Sequence, residues 1–397
     1  MFCLNLGLHL LRPGRDSLAL KQGIEDLPAF FTATFICILL INLVLKKSRF
    51  GSNLPKLINI FHISIISAVL LFQLLYLFAP MNNLTDPVFF IWVSIINLLG
   101  ISIAWEMIVK AIPRLLLPRK IGFIVFGGTV GCITAYGIAA VAGNNDLLFA
   151  MMAFVAAFIV SGKLITNKNE AVQPDDTIVP PQRKTSRHRF IIAYALIVFL
   201  YAFISTFLYF QQARLVQFHT TTITDSKIQF AQIGFWVNVF TLPAQLLLTS
   251  PLLLKGRFFS LAILPALLIG GLLCFSFYPS LLLLSMLMAL TKIASFSIIR
   301  PSRELILTGI HAETRNRFKI FIDTVVYRGG DVAGSWFYVL LFSQGLSFTQ
   351  LALVAIPVCM LWCFCCFKIQ DTGKQNFTVY APGLQIHPPL KNNNHAM

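Results

Sequence analysis

Charge is what this sequence has least of. Asp, Glu, Lys and Arg make up 12% of its 397 residues, and the acidic ones are scarcer, 15 against 31 basic. A soluble globular chain carries about a quarter charged residues, so this balance excludes an ordinary water-soluble domain. Catalytic and cofactor signatures are also missing. The eight cysteines lie nearly all inside apolar runs, and Cys363, Cys365 and Cys366 lack the paired C-x-x-C spacing of a zinc site. The seven histidines are scattered, and no glycine-rich loop leads into the Lys-Ser/Thr that cradles phosphate. The expectation is therefore a non-enzyme with no cofactor and no metal. The net charge of +16 is not read as a nucleic-acid signal, because basic loops that hold a membrane protein's orientation account for it.

What is abundant is apolar residue, 57% of the chain with 37 Phe. A membrane crossing takes roughly 20 such residues. Apolar runs fall at about 29–45, 57–79, 87–111, 119–141 and 146–166, and again at about 190–213, 229–254, 257–277, 279–299, 319–343 and 347–367. Between the two sets lies a charged, proline-rich stretch that reads as a linker rather than a packed element. The expected organisation is a first six-helix bundle (1–166), a cytoplasmic linker (167–189), a second six-helix bundle (190–367) and a cytoplasmic polar tail (368–397). The fold class is all-α, polytopic, with six plus six transmembrane helices.

The basic residues set the orientation. With the linker in the cytoplasm, that side takes 24 of the 31 Lys and Arg. The other side keeps Arg12, Arg15, Lys21, Arg214 and Lys227, while Lys292 and Arg328 lie within helices. The rule that positive loops stay inside then places both termini in the cytoplasm. The first apolar run, Met1 to Leu11, meets Arg12-Pro13-Gly14-Arg15-Asp16 after about half a bilayer, so helix 1 is expected to be truncated, with Arg12 at its outer end.

An internal repeat is visible. Gly127-Gly128-Thr129-Val130-Gly131 and Gly329-Gly330-Asp331-Val332-Ala333-Gly334 are offset by 202 residues, and the same offset takes Arg12 to Arg214. Two landmarks sharing one offset point to two related six-helix halves. The glycine clusters read as surfaces where helices touch closely.

Five stretches, LLRPGRDSLALKQGIEDLPAFFTATF (10–35), VFFIWVSIINLLGISIAW (88–105), KIGFIVFGGTVG (120–131), FLYFQQARLV (207–216) and RPSRELILTGIHAETRNRFKIFIDTVVYRGGDVAGSWFY (300–338), carry a resemblance. Together they resemble the ATP/ADP translocase-like family, a branch of the major facilitator superfamily, and are most similar to its uncharacterised bacterial branch. The resemblance implies a two-bundle transporter working by alternating access around a central cavity. It also implies that Arg15-Asp16 and Lys292 match charged positions of the nucleotide exchangers, whereas their carboxylates in helices 4 and 7 have no match within Phe90–Leu99 or Thr206–Gln212.

The candidate substrate contacts are Lys292, Arg12, Arg15, Arg214, Gln211 and Gln212. Arginines at helix ends suit phosphate or carboxylate, or alternatively snorkel to headgroups or pair with Asp16. Lys292 lies mid-helix, where an unpaired ammonium costs roughly 2.5–3.5 kcal/mol, so it meets either a solute or an acid such as Glu106. Gln211 and Gln212 serve equally as interhelical hydrogen bonders. Glu106, four residues before Lys110, is a candidate for proton coupling or a local ion pair. Arg300, Arg303 and Glu304 read as an inward gate, and Asp323, Arg328 and Asp331 as a packing face of helix 11. The function expected is secondary transport of a small anionic solute, a nucleotide or another phosphorylated or carboxylated metabolite. The alternative is proton-coupled export of neutral or lipophilic compounds. The partners expected are that solute and the lipid bilayer, with no nucleic acid, and the protein is expected to be a monomer.

Overall fold

The computed structural model describes residues 1–47, 54–78, 84–111, 117–143, 145–166, 185–254, 257–295 and 321–374. Among them are twelve α-helices and no strand. The first six are α1 (Phe2–Gln22), α2 (Leu27–Lys47), α3 (Leu54–Phe78), α4 (Thr85–Ala111), α5 (Leu117–Val141) and α6 (Asp146–Thr166). The second six are α7 (Thr185–His219), α8 (Ile223–Leu254), α9 (Arg257–Phe277), α10 (Leu281–Ala294), α11 (Tyr327–Ser343, entered through a π turn at Ile322–Val326) and α12 (Phe348–Lys374). Local chemistry sets several ends. The Ser280 hydroxyl accepts the Leu283 N–H at 3.2 Å to cap α10, and Gly23, with φ 111°, takes a backbone turn closed to most side chains where α1 stops.

Six helices are long and apolar enough to cross a membrane, and at most half of each such span is buried within the protein. Phe78, Phe123 and Leu43 are 84%, 80% and 63% exposed. Helices whose exposed faces are this apolar, with backbone groups satisfied internally, suit hydrocarbon rather than water as the surrounding medium.

The helices pair in a way that repeats. Within the first half α1 packs on α4, α5 and α6, α3 on α4 and α6, and α2 on α4. Advancing every label by six gives the pairings of the second half: α7 on α10, α11 and α12, α9 on α10 and α12, and α8 on α10. Across the seam α5 meets α8 and α2 meets α11, each contact being the other's symmetry mate. The glycine clusters sit at the closest approaches. A Cβ added to Gly131 would lie 2.5 Å from the Phe2 carbonyl oxygen of α1, and one added to Gly334 would lie 2.6 Å from that of Phe203 in α7. Small residues here let two backbones touch.

Helix 1 departs from expectation. It does not stop at Arg12-Pro13-Gly14-Arg15-Asp16 but runs unbroken through it to Gln22, 21 residues in all. Arg12 and Arg15 are therefore not at an outer helix end. By a rise of about 1.5 Å per residue they lie roughly 15 and 10 Å back from the end of α1. Pro13 removes one helical hydrogen bond, whereas breaking the helix in an apolar surrounding would strand several backbone groups. The side chains of Arg15 and Asp16, which look like loop residues in sequence, are both buried.

Candidate functional site

The site grows from one face of α1. Asn5, His9, Arg12 and Asp16 recur at helical spacing and so line a single stripe. The His9 ring is fixed at both nitrogens. Nδ1 lies 3.0 Å from the Asn5 carbonyl oxygen, to which only an N–H can donate, so Nε2 is the acceptor for the Arg12 guanidinium 3.5 Å away. The ring also meets Tyr136 of α5 edge to face at 5.5 Å, which sets that tyrosine beside the stripe. Arg12 Nε is buried and has no acceptor among the described residues.

One turn further along, Arg15 and Asp16 form a buried ion pair, with Arg15 Nε and Nη2 at 2.8 and 2.5 Å from Asp16 Oδ1. This is the alternative pairing considered for Arg15. The guanidinium also donates to Ser94 Oγ at 3.2 Å and lies 4.8 Å over the Phe90 ring, both on α4. From the other half, the Tyr209 hydroxyl of α7 donates to the same Asp16 oxygen at 2.9 Å. Asp16 thus ties the two bundles together.

Lys292 comes to this place from α10. Its ammonium donates to Asn238 Oδ1 of α8 at 2.9 Å, and Asn238 sits one turn from Gly234, which packs against the Tyr136 ring that meets His9. Three of the expected substrate contacts, Arg12, Arg15 and Lys292, therefore converge on one region of the seam.

Arg214 does not join them. It donates to the Leu346 carbonyl at 3.3 Å and is held against Phe342 and Phe348, 3.8 and 4.5 Å from the ring centres. Gln211 donates to the Phe348 carbonyl at 2.9 Å and accepts from the Tyr338 hydroxyl at 2.9 Å, while Gln212 is buried. These side chains clamp the turn between α11 and α12. The clamp is the repeat mate of the α1 cluster: His9, Arg12 and Tyr136 advanced by 202 residues are Gln211, Arg214 and Tyr338. Sequence reasoning had the arginine pair and missed His9, Tyr136 and Tyr338, although the same offset reaches them.

The remaining candidates divide. Arg328 pairs with Asp331 at 3.0 Å, and Thr206 of α7 donates to the second Asp331 oxygen at 2.8 Å, so this carboxylate pins α11 to α7 beside Gly330 and Gly334. The π turn adds a residue to the helical register ahead of α11, so the face drawn from Asp323 to Gly334 at a constant 100° per residue is interrupted. The side chains of Asp323, Glu106 and Lys110, and all of Arg300, Arg303 and Glu304, lie outside the described residues.

Among the described residues the halves meet at several further side-chain contacts toward the end where α1 gives way to α2. Trp336 Nε1 donates to Thr32 at 3.0 Å, and Phe31 packs on Tyr209 and Phe210 with centroids 6.0 and 5.6 Å apart. Lys227 of α8 pairs with Asp146 of α6 at 2.5 Å and also reaches the Gly143 carbonyl.

Solved structures with this arrangement are numerous. A bacterial homologue of the iron transporter ferroportin in an inward-facing state aligns with TM-score 0.59 and 14% identity, over 93% of this chain and 98% of that one. A bacterial homologue of the human lysosomal transporter Spinster, inward-facing and unoccupied, aligns with TM-score 0.54 and 13% identity over 96% and 98%. The fold is the major facilitator fold. The nucleoside transporter NupG, as its D323A mutant, aligns with TM-score 0.51 and 15% identity over 92% and 99%. These membrane transporters handle different solutes, so the likeness carries the architecture alone. No family model matches the chain, and no curated protein matches it in sequence.

Proposed function

We propose that this protein is a secondary transporter of a small anionic solute, a nucleotide or another phosphorylated or carboxylated metabolite. The observation that carries the reading is the convergence of Arg12 and Arg15 from the first half with Lys292 from the second at one place on the seam. Basic side chains held inside a helical bundle attract anions and repel the divalent cations that some transporters of this fold carry. Motion would be the rocking of residues 1–166 against 190–367 around that place. The gathering of contacts at the α1–α2 end supports a state closed on that side, which the basic-residue distribution assigns to the exterior, the membrane being taken, from the resemblance, as a bacterial inner one. The polar groups that meet there, Asp16 and Tyr209 foremost, would part when the carrier turns outward.

Uptake decides the matter. Radiolabelled nucleotides, phosphorylated sugars and dicarboxylates offered to cells expressing the full chain are expected to enter, and Lys292→Ala to remove that uptake. Failure of every anion tried would sink the reading. Transport of a lipophilic cargo that is lost in Glu106→Gln but kept in Lys292→Ala would favour a proton-coupled exporter instead.

A further inference from the structure

The two repeat-related clusters share an arginine and a tyrosine and differ in the third residue, His9 against Gln211. In the second half one donor of each side chain ends on the protein: Arg214 on the Leu346 carbonyl, Gln211 on the Phe348 carbonyl, and Tyr338 on Gln211. These carbonyls belong to the turn between α11 and α12. In the turn between α5 and α6 the Gly143 carbonyl and the Asp146 carboxylate both go to Lys227 of α8. Arg12 reaches His9 Nε2, but its Nε is buried and meets no acceptor among the described residues.

A buried donor left unmade costs about 1–3 kcal/mol. A guanidinium so placed is stabilised when an oxygen from outside the protein is within reach, and its planar fork matches the paired oxygens of a phosphate or carboxylate better than a single hydroxyl. His9 contributes orientation: with Nδ1–H directed to the Asn5 carbonyl, its Nε2 accepts from one edge of the Arg12 guanidinium and so sets how the rest of the fork points. Tyr136, packed edge to face on the His9 ring, adds a second side chain able to donate to an oxyanion there. Arg15, by contrast, is already engaged with Asp16 and Ser94.

We propose that Arg12 and Tyr136, with His9 as the positioning residue, form a seat for one oxyanion group of the solute, and that this seat is the first-half copy of the clamp that Gln211, Arg214 and Tyr338 close on backbone carbonyls. The proposal rests on the anion-transport reading and narrows it. The solute presents a terminal phosphate or carboxylate to α1 and α5, and the rest of it extends toward Lys292 and α10.

The experiment uses the full-length protein purified in detergent, with its thermal unfolding midpoint followed while inorganic phosphate, or in a separate arm succinate, replaces chloride at constant ionic strength. At least one oxyanion is expected to raise the midpoint, and the arm that responds names the group. Tyr136→Phe, a small change, is expected to weaken the apparent affinity roughly tenfold, the loss of one charge-assisted hydrogen bond. Arg12→Gln is expected to abolish the response. Arg214→Gln is expected to lower the starting midpoint and keep the response. A wild-type midpoint indifferent to both oxyanions overturns the proposal, as does a response that survives intact in both Tyr136→Phe and Arg12→Gln. Anion uptake that persists in Arg12→Gln removes this seat while leaving anion transport standing. An oxyanion response with the expected variant pattern but without uptake of any anion supports the seat and removes transport.

Discussion

His9, Arg12 and Tyr136 in the first half and Gln211, Arg214 and Tyr338 in the second are the same three positions of one repeat, and they have been put to different uses. The second cluster is closed. Its guanidinium is held against two phenyl rings and its polar atoms end on a turn of its own bundle. The first cluster stands at the seam, beside the Asp16–Tyr209 bond to the other bundle and, through Tyr136 and Gly234, against the stretch of α8 whose Asn238 holds Lys292. A histidine in place of glutamine and a turn held by Lys227 are the visible differences. Symmetry of the backbone thus coexists with asymmetry of chemistry, and the asymmetry marks where a solute is expected.

The sharpest way to break the comparison is to remove each arginine. Arg12→Ala is expected to reduce anion uptake at least a hundredfold, about 3 kcal/mol for a charged donor lost with its hydrogen bonds, with little change in unfolding midpoint. Arg214→Ala is expected to do the reverse, costing about 2–4 kcal/mol of stability through its lost carbonyl bond and ring contacts while the surviving protein transports normally. Matched uptake and unfolding curves check both, and equal loss of uptake in the two variants would erase the distinction. Next come the scaffold glycines. Gly131→Ala and Gly334→Ala each force a Cβ against a backbone oxygen, and each is expected to destabilise by about 1–3 kcal/mol. Similar losses in denaturant titrations would show that the two halves share their packing even where they differ in chemistry. His9→Gln copies the second-half residue into the first and is expected to raise KM about threefold with kcat kept, since orientation of Arg12 rather than charge is altered. Lys227→Met takes the partner from the largely buried Asp146 carboxylate and is read by assembly rather than by uptake. Its readout is cross-linking between cysteines placed at the ends of α6 and α8, whose yield is expected to fall as the closed state loses its latch.

Much of the architecture was legible in the sequence because its cause is local. An apolar run of membrane length is a helix wherever it sits, and apart from the first the observed helices overlap the runs one for one, with ends that differ by up to eight residues. The exception is instructive. Arg-Pro-Gly-Arg-Asp has every mark of a helix end, but Asp16, Ser94 and Tyr209 satisfy the charges inside the protein, and those partners lie 79 and 193 residues from Arg15 and Asp16. The placement of Lys292 near the Gly234–Tyr136 contact and the Lys227 contact with the Gly143 turn were equally beyond reach, because they depend on how two bundles face each other. Tyr136 and Tyr338 are a different case. A tyrosine in an apolar helix looks like core, and only the offset already established by Arg12 and Arg214 would have singled the pair out.

Since α5 on α8 is the two-fold mate of α2 on α11, these two contacts of the seam are isologous: there each half offers its partner the same surface that it receives. The protein is in that sense a homodimer fused end to end, whose two protomers have since drifted apart in chemistry. Cutting the chain within the linker and producing the halves as separate polypeptides is then expected to give a reassembled carrier. A second-half fragment alone has the geometry to pair with its own copy, with two closed clamps and no seat.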